Sequence, residues 1–192
     1  MKYLFSAAAL VFALMSCNAS DGKNQKENTI ISSSESVQSD SLAIVKLGED
    51  LKKLKPLSPE EFKAKFKSEL NGFTLTEIDA FVSDDSEAYC TANYKKGDAN
   101  VYLMITDGAG VGASTIVDGL VNFLELKKIE ESGSKTNIKP YKGHEAYFDY
   151  SMYESDGMTS IQYLEAGRYL VVASGNAITI DELKSVLDKL SL

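Results

Sequence analysis

Residues 73–106 read FTLTEIDAFVSDDSEAYCTANYKKGDANVYLMIT. Inside this stretch Ala88, Cys90, Ala92 and Tyr94 alternate with Thr91 and Asn93. Alternation at a period of two puts the first set on one face of a strand and the second on the other. Three strands are predicted, over 73–82, 87–94 and 100–106, with Lys95-Lys96-Gly97-Asp98 as the turn between the last two. Strands joined by turns this short run antiparallel.

On the N-terminal side, Ser58-Pro59-Glu60-Glu61 is a capping box: Ser58 accepts from the third helical N–H, and Glu61 reaches back. Pro59 suits the first helical position, where no N–H is required. Phe62, Phe66 and Leu70 follow at helical spacing and Asn71-Gly72 marks the stop, which predicts a helix over 58–70. A shorter helix is expected over 42–54. On the C-terminal side a second long helix starts near Ser114 or Thr115, with Asp118 placed to complete a cap on Thr115. Its apolar side is Ile116, Leu120, Phe123, Leu124 and Leu126. Strands are then predicted over 137–141, 145–153, 158–165 and 168–173. Thr179-Ile180-Asp181-Glu182 opens a last helix, whose Leu183, Val186, Leu187 and Leu190 form one stripe.

Glu87-Ala88-Tyr89 recurs as Glu145-Ala146-Tyr147, 58 positions on, and the same shift carries the first helix onto the second. The pattern predicts two tandem helix-plus-strands units, about 58–115 and 116–173, closed by a C-terminal helix over 180–190. The expected class is α+β: an antiparallel sheet with helices on one face and the other face wholly or partly open. The shift places Ala146, Phe148, Tyr150 and Met152 on the same face as Ala88 and Cys90.

Residues 1–17 read MKYLFSAAALVFALMSC. Lys2 precedes an apolar stretch, 3–15, too short at ~1.5 Å per residue to span a ~30 Å hydrocarbon core comfortably, so the segment reads as a secretory signal. Leu14-Met15-Ser16-Cys17 resembles the lipobox of bacterial lipoproteins. That resemblance implies cleavage after residue 16, acylation of the Cys17 thiol and attachment of the protein to a membrane through those chains. Asn18 is not the aspartate that in that family goes with inner-membrane retention. Asp21 with the acidic, serine-rich run behind it resembles the signals that send some lipoproteins to the cell surface, which implies an outer-membrane location, periplasmic or surface-facing. Residues 17–41 are dense in Ser, Asn, Asp, Gln and Lys and carry no helical or strand periodicity, the composition of a flexible tether. The expected folded domain is 42–192.

The chain carries 20 basic against 28 acidic residues, a formal charge of −8. Nucleic acid is therefore excluded as a partner, because phosphate binding needs clustered cations. Asp107-Gly108-Ala109-Gly110-Val111-Gly112-Ala113 matches a dinucleotide-loop pattern, but its flanking strands are antiparallel and no βαβ unit surrounds it. The loop reads as a strand-to-helix connection, and no cofactor is expected. His144 is the only histidine, in a turn and without a spaced partner, and no metal site is expected. Cys90 lies on the apolar strand face and reads as a small buried hydrophobe. Acidic groups gather at Asp84, Asp85 and Glu87 and at Glu154 and Asp156, which reads as solvated turns.

No residue stands out as catalytic. The expected function is that of a lipid-anchored cell-envelope binding or interaction module, using the polar sheet face or the groove between the units. Thr91, Asn93, Tyr147, Asp149 and Tyr153 are the candidate contact residues, and an envelope protein or a glycan is the expected partner. An envelope hydrolase using acidic residues or His144 is the alternative, and a structural or stress-protective lipoprotein is the third reading.

Overall fold

The computed structural model describes residues 40–83, 86–131 and 137–192. The signal segment 1–16, Cys17, the tether through residue 39 and the Asp84-Asp85 pair lie outside the described residues. The folded part is α+β: one eight-stranded antiparallel sheet with five helices, the last of them C-terminal.

Helix α1 takes in the described residues 40–51 and ends three residues before the expected end at 54. Helix α2, Pro59–Lys63, has the capping box read from the sequence, with both the Ser58 and the Glu61 bonds formed. It is only five residues long, and Leu70, expected at its end, lies instead on strand β1, Glu69–Leu70. Phe62, Phe66 and Leu70 are nonetheless all buried, because the apolar spacing is satisfied by a helical turn followed by a bend. Strands β2 (Phe73–Ser83), β3 (Ser86–Lys96) and β4 (Ala99–Asp107) form a meander. A 3-10 turn, Gly110–Gly112, leads into α3, Ala113–Glu131. Thr115 does not take Asp118 as a capping partner; its hydroxyl donates to the Glu87 carboxylate of β3. A second meander follows: β5 (Ile138–Tyr141), β6 (His144–Asp149), β7 (Met158–Glu165) and β8 (Tyr169–Asn176). Helix α4, Tyr153–Asp156, interrupts it, and α5, Ile180–Leu187, closes the chain behind the Thr179 capping box.

The strand order is β1-β2-β3-β4-β8-β7-β6-β5, so the two meanders meet through their last strands. The ladders set the equivalence of the halves. Leu103 faces Ala173 across the central pair; moving outward, Ala92 matches Ile161, then Ile78 matches Phe148. These partners are separated by 69 or 70 residues, so the halves correspond at that shift and not at 58. The recurring Glu-Ala-Tyr sits on β3 in the first meander and on β6 in the second, which are not equivalent strands. A period of two lets any two strands match over three residues, so a tripeptide does not fix which strands correspond.

The inward positions of both meanders, including Cys90, Ala92, Leu103, Ile161 and Val171, join α2 and α5 in one core. This is the helix layer the alternation anticipates. A second layer lies on the reverse face: Leu164 and Leu170 point there, packed with Ile116, Leu120 and Phe123 of α3 and Ile44 and Leu51 of α1. Close approach is built in. A Cβ on Gly119 would touch Leu170 at 3.4 Å, and one on Gly48 would lie 2.5 Å from the Val117 methyl group. Helix α3 rests on β5, β6 and β8, so it covers the reverse face around Leu164 and Leu170 and not the outward positions of β2, β3 and β4.

Candidate functional site

The uncovered half of the reverse face is made by outward positions of β2, β3 and β4. The ladders arrange its side chains in rows across the sheet. One row runs Glu77, Asn93, Tyr102, Ser174, Ser160, Asp149. The next runs Asp79, Thr91, Met104, Val172, Gln162, Tyr147. A third begins with Phe81 and Tyr89, whose rings stack at 5.5 Å, and ends under α3 at Leu170 and Leu164.

Four of the five candidate contact residues therefore share one face, and Asn93 and Asp149 occupy the same row. Asn93 donates to the Glu77 carboxylate at 3.0 Å. Asp149 accepts from the Ser151 N–H at 2.9 Å, and that bond, ahead of any other group, holds its carboxyl below the usual range. Burial, and secondly the Asp149 charge, push the Tyr147 phenol upward. Tyr147 is half covered by the α3 layer.

Tyr153 is not part of this face. The strand expected to run to residue 153 ends at Asp149, where the Asp149 side chain captures the Ser151 N–H and turns the chain aside. Tyr150 and Met152, expected with Ala146 and Phe148 on the covered face, are exposed beyond the strand, and Tyr153 opens α4.

Phe81, Tyr89, Tyr102 and Met104 were not among the candidates, yet they are 49%, 38%, 37% and 37% exposed and form the apolar part of the patch. Tyr89 continues the alternation of β3, and Phe81, Tyr102 and Met104 are the cross-strand neighbours of Tyr89, Asn93 and Thr91 on β2 and β4. Two concavities lie along the first row. One, of about 560 Å³, is lined by Thr76, Glu77, Asn93, Lys95 and Asn100. The other, of about 160 Å³, is lined by Asp149, Ser160 and Ser174 with Met152 and Met158. Tyr102 stands between them.

The glycine loop and Cys90 have structural uses. Asp107, wholly buried, receives the Arg168 Nε and Nη2 donors at 2.7 and 2.8 Å and the Leu57 and Ala109 N–H groups at 3.1 Å. The glycine loop is built around that carboxylate. A Cβ on Gly112 would sit 2.0 Å from the Asp107 carbonyl oxygen, and one on Gly108 would meet Ile116 at 2.4 Å. Gly108 N–H donates to the Arg168 carbonyl and Gly112 N–H to that of Ala109, so these donors are turned inward and not toward a phosphate. Cys90 is buried and its thiol is pushed up to about 12 by that burial, which removes its nucleophilicity at neutral pH.

His144 opens β6 and lines a groove with Asp40, Ile44, Leu120, Phe123 and Glu145, where Glu145 is ion-paired with Lys127. Glu154 and Asp156 lie exposed on α4. Among the described residues no group of three His, Cys, Asp or Glu side chains could hold a metal ion. Among them, too, no helix is long and apolar enough to cross a membrane. No protein-family model, no curated protein and no solved structure matches the chain.

Proposed function

We propose that the protein is a lipid-anchored binding module of the cell envelope, tethered through Cys17, and that the uncovered half of the reverse sheet face is its contact surface. One observation carries the second part. An open sheet face gains nothing from exposing large apolar groups, yet Phe81, Tyr89, Tyr102 and Met104 stand together there, rimmed by Thr91, Asn93 and Glu77. An exposed apolar patch of more than a few hundred Å² inside a polar rim marks an interaction site. The face needs no catalytic group to work. Its carboxylates already accept local bonds, Glu77 from Asn93, Asp79 from Lys63 and Asp149 from the Ser151 N–H, and each keeps lone pairs for a ligand. The first part rests on the lipobox-like residues Leu14 to Cys17.

Both parts are testable in the native envelope. Cys17→Ala is expected to abolish incorporation of labelled fatty acid; persistent labelling refutes the anchor. A photo-reactive residue at Tyr102 is expected to give covalent adducts, while one at Val121 on the outside of α3, 44% exposed, gives none. Adducts of equal yield from both positions, or from neither, refute the contact surface.

A further inference from the structure

The first row on the open face has one polar or aromatic group on each of six neighbouring strands, from Glu77 to Asp149. At ~4.8 Å between strands the row is roughly 24 Å long. A concavity lies at each end and an exposed tyrosine ring lies between them. Taking the contact surface proposed above as given, we infer that its ligand is an extended glycan chain, neutral or amine-bearing, lying along this row.

The chemistry of the row fits that occupant. Carboxylates, amides and hydroxyls at regular spacing accept from and donate to sugar hydroxyls. The Tyr102 ring offers an apolar surface to the C–H face of a pyranose and a polar tip to its edge. Charge decides between glycan classes. Glu77 and Asp149 stand at the two ends of the row, and among the described residues lining its two concavities Lys95 is the one cation, on a chain of formal charge −8. Like charges across an interface are costly, so sulfated or uronic chains are disfavoured.

Size argues against a second copy of the chain. Four large side chains, each about two-fifths exposed, offer on the order of 300 Å² of apolar surface if each has ~150–250 Å² to bury. A stable dimer buries about 800 Å² from each partner, of which roughly 450 Å² is apolar.

The test is calorimetric titration of the whole chain with glucosamine and N-acetylglucosamine oligomers, dimer to hexamer, and with dextran sulfate. At least one hexamer is expected to bind at least tenfold more tightly than its dimer, and dextran sulfate not at all. Tyr102→Ala, a change at an exposed position, is expected to weaken the hexamer at least tenfold, with circular dichroism unchanged; Tyr153→Ala, off the row, is expected to leave it unaltered. Binding that does not grow with chain length, binding indifferent to Tyr102→Ala, or no binding of either hexamer overturns the inference. So does a concentration-dependent dimer in sedimentation that Tyr102→Ala disperses. If neither hexamer binds while the photo-reactive residue at Tyr102 still yields adducts that are protein, the glycan falls and the contact surface stands. If no adduct forms either, both fall.

Discussion

Replacing Arg168 by alanine is the perturbation whose size follows most directly from the geometry. Asp107 has no exposed surface, and the Arg168 side chain is 22% exposed. The guanidinium meets the carboxylate through two parallel donors at 2.7 and 2.8 Å, and its Nη2 also donates to the Lys55 carbonyl. These bonds hold residues 55–57, which connect α1 to α2, against the start of β8. Removing one partner of a buried pair costs ~3–5 kcal/mol, because the other charge stays behind without compensation. Here the Leu57 and Ala109 N–H groups remain on the carboxylate, and water can enter from the partly exposed side of the site that the guanidinium leaves. Both effects favour the lower end, about 3 kcal/mol. A surface ion pair is worth only ~0.2–1 kcal/mol, so the two descriptions of Arg168 are well separated. Urea unfolding followed by far-ultraviolet circular dichroism reads the difference. With a slope of ~1–3 kcal/mol/M the midpoint falls by roughly 1–3 M. Arg168→Lys keeps the charge but not the fork and is expected to fall between wild type and alanine. A loss below about 1 kcal/mol in Arg168→Ala refutes the view that this pair pins the sheet end.

Other outcomes follow from the same packing. Gly112→Ala is expected to cost more than about 2 kcal/mol in the same unfolding assay, since its methyl group would overlap the Asp107 carbonyl; a variant as stable as wild type would show that the loop is not packed as described. Cys90 and Tyr94 are both pushed up to about 12, in each case first by burial. They stay neutral in the fold but ionise at ~8.5 and ~10 when unfolded, so above those values the unfolded state holds fewer protons than the folded one. The stability tied to their burial is complete below about pH 8.5 and is lost as pH rises toward 12, which midpoints measured from pH 7 to 11 would show as a falling curve. Iodoacetamide at pH 8 is expected to spare Cys90 until urea unfolds the chain. Among the described residues the buried Tyr163 hydroxyl makes no hydrogen bond of good geometry, whereas that of Tyr141 donates to Asp188 at 2.8 Å. Tyr163→Phe should therefore leave stability unchanged or raise it, and Tyr141→Phe should lower it by about 1 kcal/mol; the reverse order contradicts the assignment.

What could be read in the sequence divides along a physical line. Capping boxes are local chemistry, and Ser58 with Glu61 and Thr179 with Glu182 both form as written. Alternation is also local, so the two faces of β3 and the span of β7 were legible. Whatever depends on which strands meet was not. The 58-residue shift joined β3 to β6 because it compared residues in sequence, while the ladder compares them across the sheet. The second helix layer escaped for a related reason: Leu164 and Leu170 look like ordinary strand residues until α3 is seen to cover them. The candidate face was half legible. Thr91, Asn93 and Asp149 came from alternation, but Phe81, Tyr102 and Met104 needed the pairing of β2 and β4 with β3. Tyr153 was misplaced by one local event, the capture of the Ser151 N–H by Asp149. The tight partnership of Asp107 with Arg168, far apart in the chain, left no trace in spacing.

The central claim is that the open half of the sheet is where this protein meets its ligand. Met104 lies in the middle of that face and its methyl group is a reporter that needs no substitution. With the methionine methyl groups of the whole chain labelled with carbon-13, nuclear magnetic resonance spectra recorded before and after adding solubilised envelope material should show the Met104 signal shift or broaden. A Met104 signal that stays fixed while the envelope material is shown by co-sedimentation to bind the protein would place the contact elsewhere and contradict the account.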